Sequence, residues 1–345
     1  LAKLPPEIVE RSWMLEALLG FEVAFHWLFP NFGITRSRYI DLRAAIRVTM
    51  LRPRMVIVCD THALYTLRAA KRIGAVAILD QVIGHVDAAN KILGGEKKKR
   101  PEIGSPFNRN PDRIVRRCIK EVQEADYIFA PSDYVRDSLL PFGADPDRIF
   151  MLPYGVDLDM FAPAPQKAVS PFKVLFAGHI GLRKGVYYIL EALRQAKLPG
   201  AQAALLGNVD GDGAWLDEYQ DYFVHIQHLP HQEIPKVFSE AHIYVYPSLH
   251  EGSTVSIYEA MASGLPVVTT PNAGSVVRDG IDGFVVPVQD VAAIRDRIER
   301  LYYDDDLRQE MGKNALLRAA EFSWDAYSKR LGEALDTVLK GRADA

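Results

Sequence analysis

Two glutamates, Glu251 and Glu259, stand eight positions apart in this 345-residue chain, and their surroundings suit chemistry on a phosphorylated ligand. Residues 243–246 read as a buried strand, Pro247 stops it, and a short polar loop carries Glu251. A helix follows, with Ser253 or Thr254 as its expected cap. The backbone N–H groups of Ser253, Thr254 and Val255 then point out of a helix start, which is a ready anion site. Glu259 falls about a turn and a half further along, within reach of hydroxyls beside that anion. Two carboxylates flanking such a helix start match a ligand with both phosphate and sugar hydroxyls. The plain alternative is a solvated Glu251 and a surface Glu259 on an ordinary amphipathic helix.

A second constellation is FAGHIGLRKG, residues 176–185. A strand runs into a loop in which Gly178 and Gly181 permit close backbone approach, and Arg183 and Lys184 supply fixed charge for a diphosphate. Neither the Rossmann nor the Walker pattern fits, because the third glycine and the Ser or Thr after Lys184 are missing. In LDQVIGHVD, residues 79–87, a strand ends at Asp80 and His85 follows in the loop. A lone histidine of this kind is more often structural than functional.

The elements that must position these groups alternate regularly. In the first half, helices are predicted over 5–19, 42–51, 62–72, 114–124 and 134–140. Strands are predicted over 21–29, 55–59, 75–79 and 127–130. The second half resumes with strands at 173–177, 203–206, 224–228, 243–246, 267–270 and 284–286. Its helices fall at 186–196, 232–239, from the Ser253/Thr254 cap to Gly264, and at 291–302, with a long helical region ending the chain. Gly264 fits a left-handed helix end, with Pro266 just beyond. Such alternation predicts parallel strands with helices on both faces. Residues 94–110 hold glycines, prolines and the basic run Lys97, Lys98, Lys99, Arg100. They read as an exposed loop, or else as a basic patch for an anionic acceptor or a membrane surface.

Length favours two domains. The formal charge of −3 gives no push toward nucleic acid or acidic lipid. Cys59 and Cys118 lack metal-ligand spacing and are expected to be buried thiols in a reducing cytoplasm. No apolar run approaches the roughly 18–20 residues that span a bilayer.

The run PSLHEGSTVSIYEAMASGLPVVTT resembles the signature of the retaining glycosyltransferases of GT-B fold, family 4-like (glycosyl transferases group 1). The landmarks are Pro247-Ser248, Glu251-Gly252 and Glu259 followed by Ala260, Met261 and Ala262. Lys184-Gly185 matches the family's phosphate loop, although His179 stands where an arginine is common. MLPYGVDLDMF, residues 151–161, is similar to its domain-joining motif, with Tyr154 replacing an asparagine.

The resemblance implies an α/β GT-B fold, two Rossmann-like doubly wound parallel-sheet domains facing across a cleft. The acceptor-side domain would be 1–162, with its first strand and glycine-rich loop missing from the chain. A linker would follow at 163–171, then a nucleotide-sugar donor domain at 172–322 and a C-terminal helix, 323–345, packing back on the first domain. It also implies sugar transfer from a nucleotide-diphosphate sugar, a UDP-sugar before GDP-mannose, to an acceptor hydroxyl, without a metal or cofactor. Glu251 would hold the transferred sugar and His85 would line the cleft beside it, with Asp80 a second candidate there. Glu259 would hold the donor ribose, and Gly178, Arg183, Lys184, Ser253, Thr254 and Val255 the diphosphate. Expected partners are the donor and a carbohydrate, lipid-linked or small-molecule acceptor, with no nucleic acid. The expected place is the cytoplasm, with peripheral contact at the inner face of a membrane. Other readings are a glycoside phosphorylase or a nucleotide-sugar epimerase on the same fold, or a non-catalytic nucleotide-sugar-binding subunit.

Overall fold

A computed structural model describes residues 32–163, 171–227 and 229–343. The helix expected at 5–19, the strand at 21–29 and most of the linker expected at 163–171 lie outside them. The chain divides into two compact units: the described part of Leu1–Asp80 with Arg116–Tyr127, and Gln81–Val115 with Ile128–Ala345. The strands fall into a four-stranded and a six-stranded sheet.

In the first unit, α1 (Phe32–Leu51) begins ten residues before its predicted start. It is followed by β1 (Met55–Cys59), α2 (Leu64–Arg72), β2 (Val76–Asp80) and α4 (Asp112–Glu124), whose last residues belong here. β1 and β2 pair in parallel. Two buried carboxylates hold the start of α2. Asp41 of α1 accepts the N–H groups of Tyr65 and Thr66, both at 2.8 Å. Glu121 of α4 accepts those of Thr61, Ala63 and Leu64 at 2.7, 3.0 and 3.2 Å. Arg117 forms ion pairs with both acids, so it and the helix start together offset their negative charge. The expected burial of β1 does not hold. Among the described residues it is an edge strand, Ile57 is 45% exposed and Cys59 is exposed, whereas Cys118 is buried as expected.

The second unit contains α3 (Val86–Lys99), β3 (Tyr127–Ala130, from its second residue), α5 (Asp133–Leu139) and β4 (Ile149–Met151). β3 and β4 pair in parallel, and β4 was not foreseen. The reading of 94–110 as a loop is corrected over its first part, because α3 continues through Gly94 and Gly95 to Lys99. Buried Leu93 and Glu96 anchor that stretch and outweigh the glycines' low helix propensity. The basic run is partly structural. Lys97 Nζ donates to the carbonyls of Ser105 and Phe107 at 3.4 and 2.9 Å, and the Arg100 guanidinium lies 3.8 Å over the Tyr187 ring.

The large sheet contains β5 (Phe172–Ala177), β6 (Ala201–Leu206), β7 (Phe223–Ile226), β8 (Ile243–Tyr246), β9 (Val267–Thr269) and β10 (Gly283–Val285). Every pairing in it is parallel, in the order β10-β9-β8-β5-β6-β7. Around it lie α6 (Val186–Ala196), α7 (Ile234–Ser239), α8 (Val255–Ala262), α9 (Val291–Tyr303), α10 (Asp305–Ala319) and α11 (Trp324–Ala343). All four residues of β8 are buried, and Tyr246 stacks on Phe176 of β5 with ring centroids 5.2 Å apart. The winding reverses between β8 and β5. In open parallel sheets such a reversal, at the carboxyl ends of the two strands, is the place where ligands bind. Both sequence constellations leave the sheet there.

Candidate active site

From the end of β5, Gly178 (φ +152°) leads through Arg183 and Lys184 to Gly185 and the start of α6. From the end of β8, residues 247–254 carry Glu251 to the start of α8. The two loops are joined by backbone, since Leu249 donates its N–H to the Arg183 carbonyl at 2.9 Å. They are also joined by charge. Arg183 Nη1 lies 2.6 Å and Lys184 Nζ 2.5 Å from Glu251 Oε1. Ser248 Oγ is 3.2 Å from the same oxygen, leaving Oε2 without a partner among the described residues. Lys184 is nearly enclosed, its ammonium 5.3 Å over the Tyr246 ring, and burial lowers its pKa despite the carboxylate beside it. The two cations expected at a diphosphate are therefore also the counter-ions of Glu251.

Neither Ser253 nor Thr254 caps α8, although Thr254 holds the cap position. The Ser253 hydroxyl pairs with Tyr258 Oη at 2.8 Å, and Thr254 Oγ1 donates to the Ala273 carbonyl at 3.0 Å. Both hydroxyls are engaged elsewhere, and the N–H groups of Ser253, Thr254 and Val255 have no partner among the described residues. Their outward partial charge is not neutralised by a side chain. Glu259 lies on α8, and among the described residues no hydrogen bond or ion pair reaches its carboxylate. Burial pushes that carboxyl up to about 7.

His85 is fully buried at the cap position of α3. Its Nδ1 accepts the Asp87 N–H at 3.2 Å, which puts the ring proton on Nε2. Nε2 has no partner among the described residues. The ring lies 4.0 Å from that of Phe142, and burial lowers its pKa to about 4, so it is neutral near pH 7. The preceding residue, Gly84, donates its N–H to the Glu251 carbonyl at 3.1 Å, which brings this segment to the β8 loop. Asp80 closes β2 in the first unit, its carboxyl raised by burial. His179, in the loop after β5, has its Nδ1 3.4 Å from Asp210. Among the described residues no group of three His, Cys, Asp or Glu is arranged to hold a metal ion, and no helix is long and apolar enough to cross a membrane.

Several groups that shape the site carry little local sequence signal. Ser132, the cap of α5, donates to the Gly252 carbonyl, and Tyr134 Oη pairs with His250 Nδ1 at 2.6 Å. A Cβ at Gly252 would come within 1.7 Å of the Val82 carbonyl oxygen. Gly252→Ala must therefore displace backbone. It is expected to destabilise the fold by about 1–3 kcal/mol and to lower turnover, read by thermal unfolding beside steady-state rates.

The profile described as Glycosyl transferases group 1 matches residues 161–318, and that described as Glycosyltransferase Family 4 matches residues 5–160. The chain belongs to this family of GT-B glycosyltransferases. A colanic acid biosynthesis glycosyltransferase of Salmonella typhimurium, WcaL, is 28% identical over 236 residues, which is 63% of this chain and 58% of that protein. The match thus spans less than two thirds of this curated relative's length. The sucrose-phosphate synthase of Thermosynechococcus elongatus aligns with a TM-score of 0.67 at 19% identity, over 96% of this chain and 81% of that one. Anabaena HepE in complex with UDP-glucose aligns with a TM-score of 0.67 at 16% identity, over 86% and 82%. These two likenesses concern the fold, two parallel-sheet α/β domains of GT-B type.

Proposed function

We propose that the chain transfers a sugar, with retention and without a metal, from a nucleotide-diphosphate sugar to an acceptor hydroxyl. The observation that carries this reading is the convergence of Arg183, Lys184, Glu251 and the uncapped start of α8 at the carboxyl ends of β5 and β8. As the glycosidic bond breaks, negative charge develops on the diphosphate leaving group. Two cations and a helix start, fixed in advance in a poorly hydrated site, stabilise that charge more than water does. Glu251 offers Oε2 to hydroxyls of the transferred sugar. With two cations on its other oxygen it is a weak nucleophile, which favours front-face attack by the acceptor over a covalent glycosyl-enzyme. The buried Nε2–H of His85, unpaired among the described residues, is a donor suited to the same sugar, and Glu259 suits the ribose diol. Gly178 lets the loop backbone approach the phosphates.

The donor proposed is a UDP-sugar, supported by the UDP-glucose bound to HepE, with GDP-mannose next. The acceptor is proposed to be a carbohydrate, a lipid-linked molecule or a small molecule, met in the cytoplasm or at the inner face of a membrane. A thermal-shift panel of UDP-, GDP- and ADP-sugars tests the donor site, and UDP-sugars are expected to raise the melting temperature most. Product configuration by NMR and turnover in a chelator test retention and metal independence. A protein that binds none of the panel would overturn the reading.

A further inference from the structure

A second layer of contacts holds the backbone at Glu251. His250 is 2% exposed, and its ring is held locally. Nδ1 pairs with Tyr134 Oη at 2.6 Å, and the ring also bonds to the Gly84 backbone. The two rings meet edge to face with centroids 5.7 Å apart. Gly84 fits the notch between them, since a Cβ there would come within 2.7 Å of Tyr134 Cε1 and 2.8 Å of His250 Cε1. Gly84 in turn holds the Glu251 carbonyl, and the His250 carbonyl accepts from Arg183 Nη1 at 3.3 Å.

We propose that Tyr134 and His250 are a positioning pair, whose hydrogen bond closes over Gly84 and fixes the backbone at Glu251. Oε2 is thereby aimed at the sugar. This rests on the function proposed above. Packing alone does not explain the choice of side chains, because two apolar rings of the same shape would fill this space at similar stability. What a phenol and an imidazole add is direction. The first fixes the rotation of the ring, and the ring fixes Gly84 and, through it, Glu251. The imidazole must remain neutral to accept from the phenol, and burial lowers its pKa to about 4, well below the working range. Neither side chain is assigned any contact with substrate.

The test uses the full chain with Tyr134→Phe, His250→Phe, the double variant and His250→Asn, whose amide oxygen can still accept from Tyr134. UDP and UDP-glucose affinities are measured by calorimetry, and turnover with the active sugar nucleotide. A small misplacement of a reacting group lowers turnover by about tenfold to a hundredfold. Tyr134→Phe and His250→Phe are expected to lose at least about tenfold in kcat. UDP affinity should stay within about twofold, because the diphosphate contacts lie elsewhere. The double variant should be no slower than the slower single, since the two act as a unit, and His250→Asn should recover most of the rate. A folded Tyr134→Phe protein with parental kcat overturns the pair, as does a double variant in which the losses multiply. A collapse of UDP affinity overturns it too, because the pair would then serve the phosphate site. If the parent protein binds neither UDP nor UDP-glucose, the proposed function falls first. The imidazole nitrogen spectrum then decides the pair, and a His250 Nδ1 resonance unmoved by Tyr134→Phe overturns it.

Discussion

Glu251→Gln is expected to bind UDP about tenfold more tightly than the parent while turning over about a hundredfold more slowly. The two effects have opposite signs because one carboxylate has two relations. It sits 2.5 Å from Lys184 Nζ and 2.6 Å from Arg183 Nη1, and so competes with any phosphate for them. Removing its charge frees both cations, and recovering one hydrogen bond to a charged group is worth roughly 1.5 kcal/mol or more. The amide also leaves a nearly buried ammonium without its counter-ion, so the ligand-free variant should melt lower and regain that loss at saturating UDP. Turnover falls because the amide orients the transferred sugar less well, and small misplacements of reacting groups are costly. Lys184→Ala gives the contrasting result, a loss of both UDP affinity and rate, with a binding penalty of roughly 1.5–3 kcal/mol. Calorimetry on the parent and both variants decides it. If Lys184→Ala leaves UDP affinity unchanged, the lysine serves only as the partner of Glu251.

Local pattern carried much of this architecture. The strands at 127–130 and 243–246 and the helix at 186–196 have the bounds that periodicity and punctuation predict. Glu251, Arg183 and Lys184 were legible because each lies in a loop between a strand end and a helix start. What stayed hidden depends on chain segments meeting from far apart. Tyr134 and His250 are 116 positions apart, and Ser132 and Gly252 are 120, so no window of sequence shows either pair. His250 stood next to Glu251 in the quoted motif, and a histidine there was the one local sign. Cys59 failed for a related reason: an apolar strand sequence does not tell which of its faces is covered, and Ile57 and Cys59 share the exposed one. The helix through Gly94 and Gly95 failed because propensity is a weak prior against buried anchors such as Leu93 and Glu96.

Glu259→Gln is expected to make the protein more stable at pH 8 and to weaken donor binding there. Burial raises the Glu259 carboxyl from 4.5 to about 7, with no cation or donor to offset it. The sign follows from linkage. Between 4.5 and about 7 the folded state holds a proton that the unfolded state has released, so stability falls as pH rises through that window. The contribution is fully present below 4.5 and is gone above the folded value. A shift of that size corresponds to about 3 kcal/mol, which sets the upper end of what the neutral amide can recover at pH 8. The protein tolerates an unpaired carboxylate at this position, and a ribose diol is the kind of ligand that makes it useful, because both hydroxyls can donate to the ionised form. Donor affinity should accordingly rise between pH 5.5 and 8 with a midpoint near 7 in the parent protein. In Glu259→Gln it should be flat and, at pH 8, about tenfold lower, the equivalent of a charge-assisted hydrogen bond. UDP-glucose is the right probe, since its diphosphate has no second ionisation in this range, whereas the terminal phosphate of UDP titrates near 6. Thermal unfolding and calorimetry across that pH series decide both halves. A variant as pH-dependent in donor binding as the parent would move the ribose contact away from Glu259, and one no more stable at pH 8 would mean its carboxyl is better solvated than its surroundings indicate.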